Sequence, residues 1–314
     1  MEITNHLTIP SPLTKVETVW TINNNVELYI KRDDLIHPIL SGNKWRKLSG
    51  ILNHHESTYD TITTYGGAYS NHLVATAVAC SLLKTPCKGI VRGDSSTPLN
   101  PVLNLCTKYG MRLAFVTRQQ YKTVCRNYGV VKRELFIPEG GVCEEGTIGC
   151  ANIITEMKQV SIDQLFVACG TGTTLAGLAK GVNKMESNIS LNGIQVLRGD
   201  NYIIQEVERQ FNLTNFTIYD TYHFGGYAKL NAQLIEFIQQ FVEQTGILLD
   251  PVYTGKMMYA IKDLVETKRI QSGQRVVAIH TGGLTGWLGR MKEFKTLKLK
   301  NPVLDTRFKD FITN

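Results

Sequence analysis

The 314-residue chain is 43% hydrophobic, enough for a sizeable core in one large or two modest domains. It contains no apolar run of the roughly 18 residues that a membrane-spanning helix needs. The opening MEITNHLTIPSPLTK lacks the basic-then-apolar order of a signal peptide, so a cytoplasmic protein is expected. The formal charge of +7 is densest from Arg290 through Lys300, where apolar residues interrupt it at near-helical spacing. That pattern fits a solvated helix rather than a nucleic-acid arm, while the excess of positive charge suits small anions. Seven cysteines, odd in number and without a CxxC pair or a matching His spacing, imply reduced thiols and no metal site.

Apolar, β-branched runs predict strands at 26–30, 61–64, 89–91, 112–116, 164–168, 193–196 and 275–280. Helical spacing predicts helices over 43–54, 70–83, 99–109, 147–160, 173–184 and 230–245. The alternation predicts an α/β fold with largely parallel sheets and flanking helices. In such folds ligands collect where strands open into helix N-termini, and the glycine-rich segments fall at those junctions.

The first such junction combines Lys31-Arg32-Asp33-Asp34-Leu35 with Ser41-Gly42-Asn43-Lys44-Trp45-Arg46-Lys47-Leu48. Lys44 comes in a helix's first turn, where the dipole and a nearby cation lower an amine's pKa, as Schiff-base chemistry requires. Composition alone is satisfied by an ordinary surface lysine. At the second junction, Tyr65-Gly66-Gly67-Ala68-Tyr69-Ser70-Asn71-His72, Ser70 and Asn71 are good helix caps. They also offer a hydroxyl and an amide to a carboxylate. The third, Cys169-Gly170-Thr171-Gly172-Thr173-Thr174, joins a strand to a helix and reads as a phosphate cup or a tight structural turn. It lacks both the P-loop lysine and the GxGxxG spacing of a dinucleotide site, which disfavours a dehydrogenase.

These segments, with Leu249-Asp250-Pro251-Val252-Tyr253-Thr254-Gly255-Lys256 and His280-Thr281-Gly282-Gly283, occur in one order over about residues 8 to 290. In that order they resemble the 1-aminocyclopropane-1-carboxylate (ACC) deaminase/D-cysteine desulfhydrase family. The resemblance implies a two-domain fold of the tryptophan-synthase-β type, pyridoxal 5'-phosphate as cofactor, and a homodimer. It also implies a larger domain of residues 1–45 and 152–314 around a smaller one of 46–151.

By the same resemblance Lys44 is the Schiff-base lysine, and Gly170, Thr171, Gly172, Thr173 and Thr174 hold the phosphate. Asn71 meets the cofactor's phenolic oxygen and Thr254 its pyridine nitrogen. Ser70, Asn71, His72, Tyr253 and Thr281 face the substrate, with Tyr227 and Tyr253 as the two active-site tyrosines. Ring-opening members carry glutamate where this chain has Thr254 and leucine where it has Thr281, so the desulfhydrase branch is favoured. ACC deaminase and a non-catalytic binder of the cofactor or an amino acid are the alternatives. Tyr69 and Val74 depart from the family's glutamine and arginine and bear on the choice of substrate.

Overall fold

The structure, a computed structural model, describes residues 2–40, 42–94, 98–125 and 127–297. Eleven strands form two sheets. The larger holds β1 (Leu13–Val16), β2 (Glu27–Lys31), β8 (Gln164–Cys169), β9 (Ser190–Gln195), β10 (Thr217–Tyr219) and β11 (Arg275–Ile279), in the order β1-β2-β11-β8-β9-β10. The smaller holds β3 (Thr61–Gly67), β4 (Cys87–Arg92), β5 (Arg112–Val116), β6 (Gly129–Val131) and β7 (Glu134–Ile137), in the order β5-β4-β3-β7-β6. Pairing is parallel except for β1 with β2 and β6 with β7. The mostly parallel α/β expectation therefore holds.

Eleven α-helices cover the sheets. Those before residue 130 are α1 (Val19–Asn23), α2 (Gly42–His54), α3 (Asn71–Leu82), α4 (Pro101–Lys108) and α5 (Arg118–Val124). They are followed by α6 (Glu144–Glu156), α7 (Thr173–Lys184), α8 (Tyr202–Phe211), α9 (Ala232–Thr245), α10 (Thr254–Glu266) and α11 (Met291–Phe294). β8 and β11 are continuous apolar runs because helices bury both faces. Phe237 and Phe241 of α9 and Met257 and Leu264 of α10 pack on one face of the larger sheet. Ile153 of α6, Leu178 of α7 and Val207 of α8 pack on the other. The core beside the smaller sheet also takes in Ile3, Ile36, Leu40 and Leu288, together with Trp45, Leu48 and Ile51 of α2.

Helix α6 lies antiparallel to α2 at main-chain contact. A Cβ on Gly50 would stand 2.0 Å from the Glu145 carbonyl oxygen, and one on Gly149 would stand 1.9 Å from that of Arg46. Gly177 of α7 also meets α6 closely, since its Cβ would lie 2.5 Å from the Thr147 carbonyl oxygen.

The sequence predicts the helix here over 147–160, but it begins at Glu144, where Glu144 and Glu145 complement the dipole. α10 was not foreseen; Asp250 starts it by accepting from the Val252, Tyr253 and Thr254 amides. In the basic stretch, Met291–Phe294 is helical, while residues 298–300 lie outside the described residues.

Candidate active site

A buried ion network sets the start of α2. Asp33 accepts from Arg46 at 2.7 and 3.0 Å and from the Ser11 hydroxyl at 2.6 Å. Glu156, at the far end of α6, accepts from Arg46 and Lys31, each at 2.5 Å. Burial pushes the Glu156 carboxyl up, yet these two cations hold it below its ordinary value. The Lys-Arg-Asp-Asp motif thus clamps the first turn of α2. Gly42, at φ +60°, lets this turn lie directly on the Thr281–Gly282 main chain, where the Asn43 amide donates to the Thr281 carbonyl at 3.3 Å. Ser41 lies outside the described residues.

The clamp leaves Lys44 facing a cleft with no hydrogen bond or ion pair among the described residues. Burial, and then the neighbouring charge of Lys47, lower its pKa from 10.5 to about 7. Lys47, one helical turn on, donates to the Gly140 carbonyl at 3.0 Å. Its pKa is also lowered by burial, and no acidic side chain lines the cleft among the described residues.

Opposite these amines, β8 ends in the glycine-threonine loop. Gly172 begins α7 at φ +79° without a side-chain cap, so the helix's first N–H groups keep no partner from a capping residue. A Cβ at Gly172 would meet Val207 at 2.5 Å, and one at Gly170 would meet the Tyr253 ring at 3.1 Å. Gly172 is required by its φ and this close approach, while Gly170 lets the Tyr253 ring pack tightly on the loop. Thr171 and Thr174 line the cleft; the Thr174 hydroxyl accepts from the Asn43 amide at 3.1 Å. Free amides, hydroxyls and two unneutralised lysines around one hollow make an anion site with a reactive amine at its edge.

The other wall comes from the strand ends of both sheets. Asn71 accepts from the Thr285 hydroxyl at 2.8 Å and donates to the Gly283 carbonyl at 3.4 Å, tying α3 to the segment after β11. Thr281 also lines the cleft. Tyr253 rests on Gly170, and its hydroxyl is pushed well above its ordinary pKa by burial and then by Tyr227. The Tyr227 ring stands 6.2 Å away in an edge-on contact. Tyr227 also lines an adjoining hollow with Tyr69, Val102 and Arg290, and this hollow shares Asn71 and Tyr253 with the cleft.

Five expected site residues do not line the cleft: Tyr227, which lines the adjoining hollow, and four others. Ser70 caps α3 by accepting from the Leu73 amide at 3.4 Å. His72 is buried on the Thr64 hydroxyl at 2.9 Å. Thr173 is fully buried. Thr254 is also buried, and its hydroxyl donates to the Asp250 carboxylate at 2.6 Å.

An amine of lowered pKa with no partner among the described residues, beside a glycine-threonine cup, is the decisive pairing, and residues 5–282 match a family model described as pyridoxal-phosphate dependent enzyme. The chain belongs to the pyridoxal-phosphate-dependent enzyme family. A D-cysteine desulfhydrase of Serratia proteamaculans is 30% identical, covering 82% of this chain and 86% of that protein. The Arabidopsis thaliana mitochondrial bifunctional D-cysteine desulfhydrase/1-aminocyclopropane-1-carboxylate deaminase is 27% identical over 92% of this chain and 80% of its own length. The crystal structure of an ACC deaminase homologue superposes with a TM-score of 0.78 at 29% identity, covering 93% of this chain and 95% of that one.

The residues fit pyridoxal phosphate: Lys44 supplies the free amine, while the cup, the start of α7 and Lys47 suit a dianionic phosphate. In this pyridoxal-phosphate-dependent enzyme the sequence reading assigned no role to Lys47, Asn43, Thr285 or Asp250. Of these only Lys47 had a legible signal, its place three residues after Lys44 on the same helix face.

Proposed function

We propose that this enzyme is a deaminating β-eliminating lyase of the D-cysteine desulfhydrase kind, converting D-cysteine and water to pyruvate, hydrogen sulfide and ammonia. The observation that carries this reading is the solitary Lys44 amine facing the glycine-threonine cup. Pyridoxal phosphate, when bound, supplies an aldehyde that links the substrate's amine and a ring that accepts electrons from its Cα. With a pKa of about 7, Lys44 Nζ is available unprotonated near neutrality to take the proton from the substrate's Cα. Tyr253 keeps its phenolic proton and donates it to the departing sulfur, with Tyr227 packed against it. Asn71 orients the cofactor's ring edge, and Gly170 to Thr174 with Lys47 hold the phosphate. Ser70 and His72 shape the α3 end that receives the substrate carboxylate.

The second reading is ACC deaminase, since relatives bear both names. Opening a ring without an α-hydrogen asks for stronger electron withdrawal, which a carboxylate holding a proton at the pyridine nitrogen aids. By the family resemblance that carboxylate falls at the sequence position of Thr254, whose hydroxyl donates to Asp250, and a hydroxyl at this position supports elimination from a thiol-bearing substrate. The proposal includes a homodimer in the cytoplasm, with two domains divided near residues 45 and 151. The family resemblance supports it, and no described helix is long and apolar enough to cross a membrane.

The test is pyruvate release from D- and L-cysteine and β-chloroalanine beside 2-oxobutyrate release from ACC, with Lys44→Ala as control. Pyruvate from the D-amino acids should dominate, and Lys44→Ala should lose both turnover and borohydride-trapped cofactor. Efficient ACC turnover overturns the substrate reading; a trapped adduct on another lysine overturns the site.

A further inference from the structure

Ten residues beyond Lys44, α2 ends at His54, and His54 and the following His55 face the first turn of α6. One ligand atom each from His54, His55 and Glu145 lies within 4.8 Å of the others. His55 Nε2 and Glu145 Oε2 are both buried and make no hydrogen bond to any described residue. His54 Nε2 stands 3.6 Å from Glu145 Oε1, and the two imidazole rings meet edge-on with centroids 4.7 Å apart. Nothing in the chemistry above uses these groups, and burying an acceptor without a donor costs about 1–3 kcal/mol.

We propose that His54, His55 and Glu145 form a binding site for a divalent transition-metal ion of the Zn²⁺ class, stapling the end of α2 to the start of α6. Two imidazole nitrogens and one carboxylate oxygen suit such an ion, whereas Mg²⁺ and Ca²⁺ call for all-oxygen ligands. Bonds of about 2.0–2.2 Å place tetrahedral ligands a little over 3 Å apart, within reach of small side-chain rotations. Water completes the coordination. Along the helix the site is about 15 Å from Lys44, so the ion acts on the helix pair rather than on the reacting atoms.

The experiment titrates Zn²⁺ into chelator-treated holoenzyme by calorimetry and follows the melting temperature in parallel. One ion per chain is expected, with a rise in melting temperature. Binding should weaken at least tenfold in His55→Gln and Glu145→Gln and persist in Cys143→Ser. His54→Gln alters an exposed side chain, so it keeps the test sound should a buried variant fold poorly, and it too should weaken binding. Absence of stoichiometric uptake, or uptake unchanged in His54→Gln and His55→Gln, overturns the proposal.

Discussion

Replacing Lys47 by methionine isolates what makes Lys44 reactive. At pH 7 an amine of pKa 10.5 is neutral in about one molecule in 3,000, whereas at a pKa of about 7 it is neutral in about half. Burial is the larger cause and Lys47 the second. Residues three apart on a helix have Cβ atoms roughly 5–6 Å from each other, and amines about 6–10 Å apart at the ends of two such side chains repel by about 1.7–2.8 kcal/mol at an effective dielectric of about 20. Lys47→Met should therefore raise the Lys44 pKa and cut its neutral fraction at pH 7 to about a tenth or less. Because the folded chain binds this proton less tightly than the unfolded one, the native amine contributes a stability that rises with pH between about 7 and 10.5. Competitive acylation of the apoprotein across pH 5 to 11, read by mass spectrometry on the Lys44 peptide, gives the midpoint without cofactor or turnover. A wild-type midpoint above 9, or one that does not move in Lys47→Met, would refute the argument.

Gly149→Ala should destabilise the fold by about 1–3 kcal/mol in urea titration although alanine is the better helix former, because its Cβ meets the Arg46 carbonyl at 1.9 Å. A neutral or stabilising result would mean that α2 and α6 separate freely. Gly172→Ala should weaken cofactor binding at least tenfold in fluorescence titration, since φ +79° and Val207 both oppose a side chain there; unchanged affinity would remove the cup from the site. Lys256 donates to the His223 and Gly226 carbonyls, each at 2.8 Å, and so holds the segment bearing Tyr227. Lys256→Met should raise the substrate KM several-fold while cofactor content stays constant, and an unaltered KM would deny that segment a part in substrate binding.

Long apolar strands and helices with strong periodicity were legible: β5 was predicted with its observed ends at 112 and 116, and α7 with its ends at 173 and 184. Three- and four-residue edge strands such as β1, β6 and β10 were not, because so few residues show no period. α10 was hidden because its start is set by Asp250, whose capping of three amides does not follow the usual Ser/Thr-x-x-Glu spacing. At the site, the glycines and Lys44 taken alone left a structural turn and a surface lysine open, and it was the order of five motifs, through the family resemblance, that implied the cofactor. Which hydroxyls face the cleft was not readable: Thr171 and Thr174 line it, while Thr173 between them is buried with its hydroxyl 3.3 Å from that of Thr171. The pairing of His54 and His55 with Glu145 spans ninety residues and exists only once α2 and α6 lie side by side.

The main-chain contacts that join α2, α6 and α7 separate two kinds of evolutionary freedom. The distance from the amine-bearing turn of α2 to the start of α7 is set through α6 by glycines whose neighbours are carbonyl oxygens and a Cβ, so repacking side chains elsewhere leaves that spacing intact. Tyr69, 55% exposed at the mouth of the adjoining hollow, belongs to no such contact between these helices. Lineages can thus remodel the hollow for new substrates while the catalytic interval is inherited unchanged, as a frame keeps its dimensions when the panels are exchanged.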